Sequence, residues 1–74
     1  MCGIVGYVGV RQAAPILLEG LSKLEYRGYD SAGIAVFENN EIKVAKSKGR
    51  LKNLVEKMQK NGKPSGHSGI GHTR

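Results

Sequence analysis

Apolar residues recur at helical spacing in two stretches of the chain. The first stretch runs from about Gln12 to Leu24, with apolar positions at Ala14, Leu17, Leu18, Leu21 and Leu24. The second lies between Gly49 and Asn61-Gly62, with apolar positions at Leu51, Leu54, Val55 and Met58. Residues three and four positions apart lie on one side of a helix. The pattern therefore predicts two amphipathic helices, each packed by its apolar side on a core.

Two residues qualify the first predicted helix. Pro15 fits only in the first turn, where its missing N–H would have no helical partner. Gly20 lowers the stability of a helix interior by up to ~1 kcal/mol relative to alanine. Because glycine has no side chain, we expect Gly20 to allow close packing against a strand.

Shorter apolar runs predict four strands, at residues 4–8, 32–37, 42–48 and 69–73. The first run is mostly apolar, so we expect it to be buried on both faces. In the third run apolar Ile42 and Val44 alternate with more polar neighbours, which is typical of a strand near a sheet edge. The tetrapeptide Glu38-Asn39-Asn40-Glu41 predicts a tight hairpin between the second and third strands.

The remaining segments, Tyr26 to Ser31 and Lys63 to Ser68, predict a turn and a loop. The order strand, helix, strand, strand, helix, strand is typical of an α+β or α/β unit. A chain of 74 residues allows one domain with a small core. It ends within a predicted strand, so we expect it to be a truncated part of a longer protein.

The formal net charge of +6 raises the question of a polyanionic partner. The whole excess lies between residues 41 and 63, where eight basic side chains accompany two acidic ones. That segment has no aromatic residue to stack on a base. We therefore interpret it as a solvated surface and expect no nucleic-acid partner.

Other global features concern location. No apolar run approaches the ~20 residues that a membrane span needs, and the first residues lack the basic region of a signal peptide. The single cysteine cannot form an internal disulfide, which fits a reducing compartment. We expect a soluble, cytoplasmic protein with no membrane partner.

The single cysteine, Cys2, is the main candidate for chemistry. If Met1 is removed, Cys2 combines a thiol with a pKa near ~8.5 and an amino group with a pKa near ~7.7–8. Nucleophile and base then lie on one residue. If Met1 is retained, the nitrogen is a neutral amide and Cys2 is a small apolar residue at the start of a strand. Spacing alone does not decide between these alternatives.

Other kinds of site have weaker support. Cys2, His67 and His72 are the soft metal ligands of the sequence, but their spacing matches no zinc pattern. The glycines form neither a phosphate-binding loop nor a dinucleotide fingerprint. We expect no metal and no cofactor, while a Cys-His dyad stays open on the residues alone.

Three sequence blocks occur in order along the chain: MCGIVGY at residues 1–7, YRGYDSAGIAV at 26–36 and GIGHTR at 69–74. Together they resemble the amino-terminal glutaminase domain of the glutamine:fructose-6-phosphate aminotransferases (isomerising). The resemblance runs from Met1 to Arg74 but covers only the opening part of that domain. It implies the beginning of the four-layer αββα sandwich of the N-terminal-nucleophile hydrolases, in which helices cover two stacked sheets.

The same resemblance implies roles for individual residues. Cys2 matches the catalytic nucleophile that attacks the glutamine side-chain amide, with its freed amino group as the proton shuttle. Arg74 matches the arginine that binds the α-carboxylate of glutamine, for which a guanidinium fork is suited. Arg27 lies in the turn that the family packs beside the nucleophile, so we expect a positioning role for it.

Nearby residues are expected to be structural. Asp30 and Ser31 have side chains that stabilise turns, so we expect them to hold the turn rather than to take part in chemistry. The family assigns no base role to His72, and we interpret it as structural. This interpretation leaves Cys2 and Arg74 as the candidate site residues.

The resemblance also implies a larger parent enzyme. Residues 1–74 would be the truncated amino-terminal portion of a glutamine amidotransferase type-2 domain, without the sugar-isomerase domains. The parent would be a homo-oligomer that takes glutamine and fructose 6-phosphate and makes glucosamine 6-phosphate. The oxyanion donors and the residues that close over glutamine would lie beyond Arg74, so we expect these 74 residues alone to be inactive.

Two alternatives stay open. Other amidotransferases with an N-terminal cysteine, such as the enzyme that opens purine synthesis and the asparagine-forming enzymes, share the chemistry expected of Cys2. A small basic binding module, with Cys2 inert, is the alternative from a different functional class.

Overall fold

Strands and helices alternate along the chain as the sequence predicts. The computed structural model describes residues 3–24 and 28–74, and in these it contains β1 (Gly3–Val8), α1 (Ala13–Leu24), β2 (Ser31–Glu38), β3 (Glu41–Lys48), α2 (Leu51–Asn61) and β4 (Ser68–Thr73). Each predicted helix and strand is present, with bounds that differ by one or two residues. The predictions for Cys2, Tyr26 and Arg27 lie outside the described residues.

The four strands form one antiparallel sheet in the order β1-β4-β2-β3. The last strand of the chain, β4, therefore lies between β1 and β2. Thr73 near the end of β4 is opposite Gly3 on one side and Ala32 on the other. An antiparallel sheet with two helices confirms the α+β class, and β3 is an edge strand as its alternating pattern predicts.

The turn between β2 and β3 confirms the predicted hairpin. Glu38 is opposite Glu41, so the turn has two residues. Asn39 and Asn40 both have positive φ, 52° and 65°. Two successive left-handed residues form the turn whose twist matches that of paired strands, and asparagine tolerates this conformation better than most residues.

Both helices pack on the same face of the sheet. Helix α1 contacts β1, β4 and β2, whereas α2 contacts β3 and β2. Among the described residues, the core between these two layers contains ten buried ones, Ala13, Ala14, Leu17, Leu21, Ala32, Ile34, Val36, Leu51, Leu54 and Met58. Pro15 is the third residue of α1, within the first turn, as required.

Gly20 lies where α1 packs closely against β1. A Cβ atom at this position would lie 2.6 Å from Cγ1 of Val5. This confirms the expectation that the glycine allows close packing against a strand.

The opposite face of the sheet, called the open face below, has no helix on it among the described residues. It exposes six large apolar side chains, Ile4, Val8, Phe37, Ile42, Val44 and Ile70. The expectation that the first strand is buried on both faces is therefore wrong for the described residues, because Ile4 is 73% and Val8 86% exposed. The side chains of a strand alternate between faces, and in β1 only those of the helix face, such as Val5, are covered.

Neither α1 nor α2, the helices found in residues 3–24 and 28–74, has the length and apolar character needed to cross a membrane.

Candidate functional site

The sequence neighbours of the two candidate site residues lie at one end of the sheet, where β1 begins and β4 ends. Gly3, which directly follows Cys2 in the sequence, is opposite Thr73, which directly precedes Arg74. Thr73 is 2% exposed and points to the helix side. The sequence neighbours of the two predicted site residues are thus paired across one ladder, although Cys2 itself lies outside the described residues.

Gly3 is tightly enclosed at this end. A Cβ atom on Gly3 would lie 2.6 Å from Cδ1 of Leu24 and 3.2 Å from Oγ1 of Thr73. The last residue of α1 and the end of β4 therefore leave little room for a larger residue directly after Cys2.

Arg74 continues the ladder beyond β4. Its N–H donates to the carbonyl of Ser31 at 3.0 Å, and its carbonyl accepts from the N–H of Asp30 at 2.6 Å. The residue as a whole is exposed. Hydrogen bonds therefore hold both the N–H and the carbonyl of Arg74, while its side chain is accessible to a ligand.

Asp30 and Ser31 hold the turn before β2, as expected, but they do so through backbone groups. Besides the bonds to Arg74, the carbonyl of Asp30 accepts from the N–H of Gly49 at 2.7 Å. Gly28 and Gly49 both have positive φ, 80° and 86°. The turn thus connects the end of β4 with the segment between β3 and α2.

Tyr29 was not predicted from the sequence as a site residue. Its hydroxyl accepts a hydrogen bond from the N–H of Leu51, the first residue of α2. The N-cap residue of that helix, Arg50, makes no side-chain cap bond. Tyr29 therefore supplies, from 22 residues away, an acceptor for the first N–H of α2, which has no partner within the helix.

The opposite end of the sheet is held by a separate set of polar contacts. Oε1 of Gln12 accepts from the N–H of Gly66 at 3.1 Å, and Oε1 of Glu38 accepts from the N–H of Ser65 at 2.9 Å. Nδ1 of His67 lies 3.0 Å from the carbonyl oxygen of Arg11. These contacts fix the loop before β4, so both ends of that strand are tied to neighbouring segments.

The two histidines lie too far apart to bind one metal ion together. His72 is exposed on the open face, opposite Ile4 and Gly33, whereas His67 is at the other end of β4. In the described ranges, no three histidine, cysteine, aspartate or glutamate side chains are grouped so that they could hold a metal ion.

The basic segment forms an exposed surface. Its eight Lys and Arg side chains lie on β3, on α2 and in the segments that flank α2, and all eight residues are exposed. Lys43 pairs with Glu41 at 2.9 Å, and Nζ of Lys57 donates to the carbonyl of Lys46 at 2.8 Å. The hydrogen bond and charge of Lys43 lower the pKa of Glu41, and those of Glu41 raise the pKa of Lys43.

Comparison with known proteins identifies relatives along the whole chain. It is 64% identical to the glutamine–fructose-6-phosphate aminotransferase (isomerizing) of Clostridium tetani and 66% identical to that of Clostridium perfringens. It is 60% identical to the enzyme of the same name from Thermosynechococcus vestitus. The predicted resemblance is confirmed. Each match covers 100% of this chain and 12% of the aminotransferase relative.

A solved structure also matches. The model superposes with a TM-score of 0.82 on a glutamine phosphoribosylpyrophosphate (PRPP) amidotransferase from B. subtilis complexed with ADP and GMP. The two chains are 28% identical over 100% of this chain and 16% of the other. No family model matches the chain. The chain therefore spans about one-eighth of the length of its aminotransferase relatives and shares its fold with part of a glutamine amidotransferase.

Proposed function

We propose that residues 1–74 are the amino-terminal portion of a glutamine amidotransferase type-2 domain in a longer parent protein. That parent hydrolyses glutamine and uses the ammonia to convert fructose 6-phosphate to glucosamine 6-phosphate. The observation that carries the proposal is the 64–66% identity, along the whole chain, to relatives named glutamine–fructose-6-phosphate aminotransferase.

Cys2 is the proposed nucleophile after removal of Met1. Its thiolate attacks the side-chain carbonyl carbon of glutamine, and its freed amino group transfers the proton that lets ammonia leave. Water then hydrolyses the glutamyl thioester to glutamate and restores the thiol. The pairing of Gly3 with Thr73 supports this role, because these two residues are the sequence neighbours of Cys2 and Arg74, the two proposed site residues.

Arg74 is the proposed ligand of the glutamine α-carboxylate. The two backbone bonds to Asp30 and Ser31 support this role, since they hold the residue that carries the guanidinium. A planar guanidinium can donate two parallel hydrogen bonds to one carboxylate. Arg74 would thereby orient glutamine with its side-chain amide toward the thiol.

The open face supports the assignment to part of a sandwich. Six exposed apolar side chains on one side of a sheet form a larger apolar patch than is usual for a surface that faces water. A depression of about 700 Å³ crosses this face, with Gly33 and Ala35 among the residues that line it. We propose that later segments of the parent form a second sheet against it.

Further properties of the parent are part of the same proposal. Without the later segments the site lacks oxyanion donors and closing residues, so residues 1–74 alone are inactive. The parent is a cytoplasmic homo-oligomer, and the cytoplasm suits a catalytic thiol because thiols stay reduced there. Cell fractionation and the mass of the native parent test these two statements.

A second candidate is an amidotransferase with a different acceptor. The structural match to a PRPP amidotransferase favours it, but the identity to that protein is 28% against 64% for the sugar aminotransferase of C. tetani. Assays of the parent with glutamine and each acceptor distinguish the two, because only the first proposal predicts glucosamine 6-phosphate as product.

The first experiment concerns Cys2 in the parent protein. We expect mass spectrometry to show loss of Met1 and one adduct of an electrophilic glutamine analogue, mapped to Cys2. We expect Cys2→Ala to abolish both the adduct and glutamine hydrolysis. Retained Met1 without an adduct would refute the nucleophile and favour the basic binding module, which salt-dependent binding of a nucleic acid would then support.

The second experiment concerns Arg74. Charge-assisted hydrogen bonds contribute about 1.5–3 kcal/mol, so Arg74→Lys should lower kcat/KM for glutamine roughly 10- to 100-fold. Arg11→Lys is the matched control, because Arg11 is also exposed but lies near the opposite end of the sheet. Equal kinetics for the two variants would refute the proposed role of Arg74.

A further inference from the structure

We propose that Tyr29 is a positioning residue for glutamine binding. Its hydroxyl bonds to the start of helix α2 and so anchors the turn that holds Arg74. The inference rests on the proposed role of Arg74. Tyr29 is partly buried and lies directly before Asp30, whose backbone bonds to Arg74. Tyr29 therefore acts on Arg74 through the backbone of Asp30 and makes no contact with glutamine itself in this proposal.

Two hydrogen bonds connect the turn to α2 and its entry. The hydroxyl of Tyr29 accepts from the N–H of Leu51, and the carbonyl of Asp30 accepts from the N–H of Gly49. Two adjacent residues of the turn are thus bonded to the first residue of α2 and to Gly49 in the segment that leads into it. The first N–H groups of a helix have no partner within the helix, so an outside acceptor there is strongly favoured.

Two hydrogen bonds also connect the turn to Arg74, which follows β4. The N–H of Asp30 donates to the carbonyl of Arg74, and the N–H of Arg74 donates to the carbonyl of Ser31. The segment from Tyr29 to Ser31 therefore lies between α2 and Arg74 and is bonded to both. A displacement at Tyr29 would be passed to Arg74 by these backbone bonds.

Helix α2 is itself held by the core. Three residues at its start and centre, Leu51, Leu54 and Met58, are buried in the core, so the helix is a rigid support. Gly49 at its entry has a φ of 86°, and a Cβ there would lie 2.7 Å from Nδ2 of Asn53. The hydroxyl of Tyr29 thus binds to a fixed point of the fold rather than to a loose loop.

The test is Tyr29→Phe in the parent protein. Loss of one neutral hydrogen bond should raise KM for glutamine about 3- to 10-fold, with kcat changed by less than about 2-fold. Tyr7→Phe is the matched control, because the hydroxyl of Tyr7 also accepts a backbone N–H, that of Arg11, but at the other end of the sheet. We expect Tyr7→Phe to leave KM unchanged.

A second variant separates positioning from helix capping. Arg50 has the extended backbone of an N-cap residue, with φ −76° and ψ 157°, so Arg50→Ser can stabilise α2 by accepting from a different N–H, that of Lys52 or Asn53. The double variant Tyr29→Phe/Arg50→Ser is compared with Arg50→Ser alone. We expect the two to share a thermal midpoint, while the double variant keeps the raised KM of Tyr29→Phe. Restoration of KM would overturn the inference, because Tyr29 would then act only as a cap.

The remaining outcomes are also decisive. Glutamine turnover by the wild-type parent together with an unchanged KM in Tyr29→Phe would overturn this inference and leave the proposed function intact. No turnover by the wild-type parent would refute the proposed function, and the role of Tyr29 with it.

Discussion

The two faces of the sheet carry apolar side chains in similar numbers but differ in what covers them. On the helix face, Val36 belongs to the same buried cluster as Leu17 and Leu54, and all three are fully buried. On the open face, Ile70 and Val44 are 55% and 62% exposed. Strand alternation therefore predicts which residues share a face, whereas the burial of that face depends on what else packs there.

The largest expected effect is on the helix face. Leu17→Ala should lower the free energy of unfolding of the 74-residue chain by about 2–5 kcal/mol, because it leaves a cavity at a fully buried position. Urea denaturation followed by circular dichroism measures the change. A loss this large would leave little stability in a chain with so small a core.

Ile70→Ala is the matched substitution on the open face. In the 74-residue chain it should cost below about 1 kcal/mol, since Ile70 buries little surface. In the parent, the same substitution should lower the thermal midpoint clearly if a second sheet covers the open face as proposed. Equal losses for Leu17→Ala and Ile70→Ala in the 74-residue chain would contradict the difference between the faces.

The next effect tests how closely α1 packs on its face. Gly20→Ala should destabilise the chain by about 1–2 kcal/mol, because the new Cβ would overlap Cγ1 of Val5. The free-energy cost of this overlap is larger than the gain in helix propensity. In a Val5→Ala background the overlap is gone. There Gly20→Ala should instead stabilise the chain, and a cost that persists would show that crowding by Val5 is not its cause.

The smallest effect concerns an exposed ion pair on the helix face of β3. Glu41 and Lys43 pair there at 2.9 Å with side chains 67% and 48% exposed. The hydrogen bond and charge of Lys43 lower the pKa of Glu41. Because the pKa is lower in the folded state, the pair stabilises the fold at higher pH and loses its effect as the pH falls through that lowered pKa. Solvent screening keeps the effect on stability small.

Nuclear magnetic resonance titration checks this pair directly. The pKa of Glu41 should rise toward its usual value in Lys43→Gln, while the unfolding transition hardly moves. A Glu41 pKa that is the same with and without Lys43 would rule out the pairing in solution.

The sequence predicts the local elements of this fold well. The apolar stripe around Leu17 and Leu21 predicts α1, and Asn39-Asn40 predicts the hairpin, because both depend on residues close together in the chain. The resemblance to the aminotransferases comes from short blocks, and the comparisons confirm it.

Features that depend on distant parts of the chain were not predicted. No local pattern tells that β4 lies between β1 and β2, or that the hydroxyl of Tyr29 caps a helix that starts 22 residues later. The prediction that Ile4 is buried is wrong for the same reason, since its burial depends on a second layer that covers the open face. The roles of Cys2 and Arg74 stay predictions, and Cys2 lies outside the described residues.

The central position of β4 has a consequence for how the chain folds. Strands β1 and β2 touch only through β4, and Gly3 and Thr73, near opposite ends of the chain, are neighbours. Such a topology has a high contact order, which slows folding. During synthesis, β1 with α1 and the β2–β3 hairpin can form early, but the sheet that joins β1 to β2 is complete only after β4 has left the ribosome.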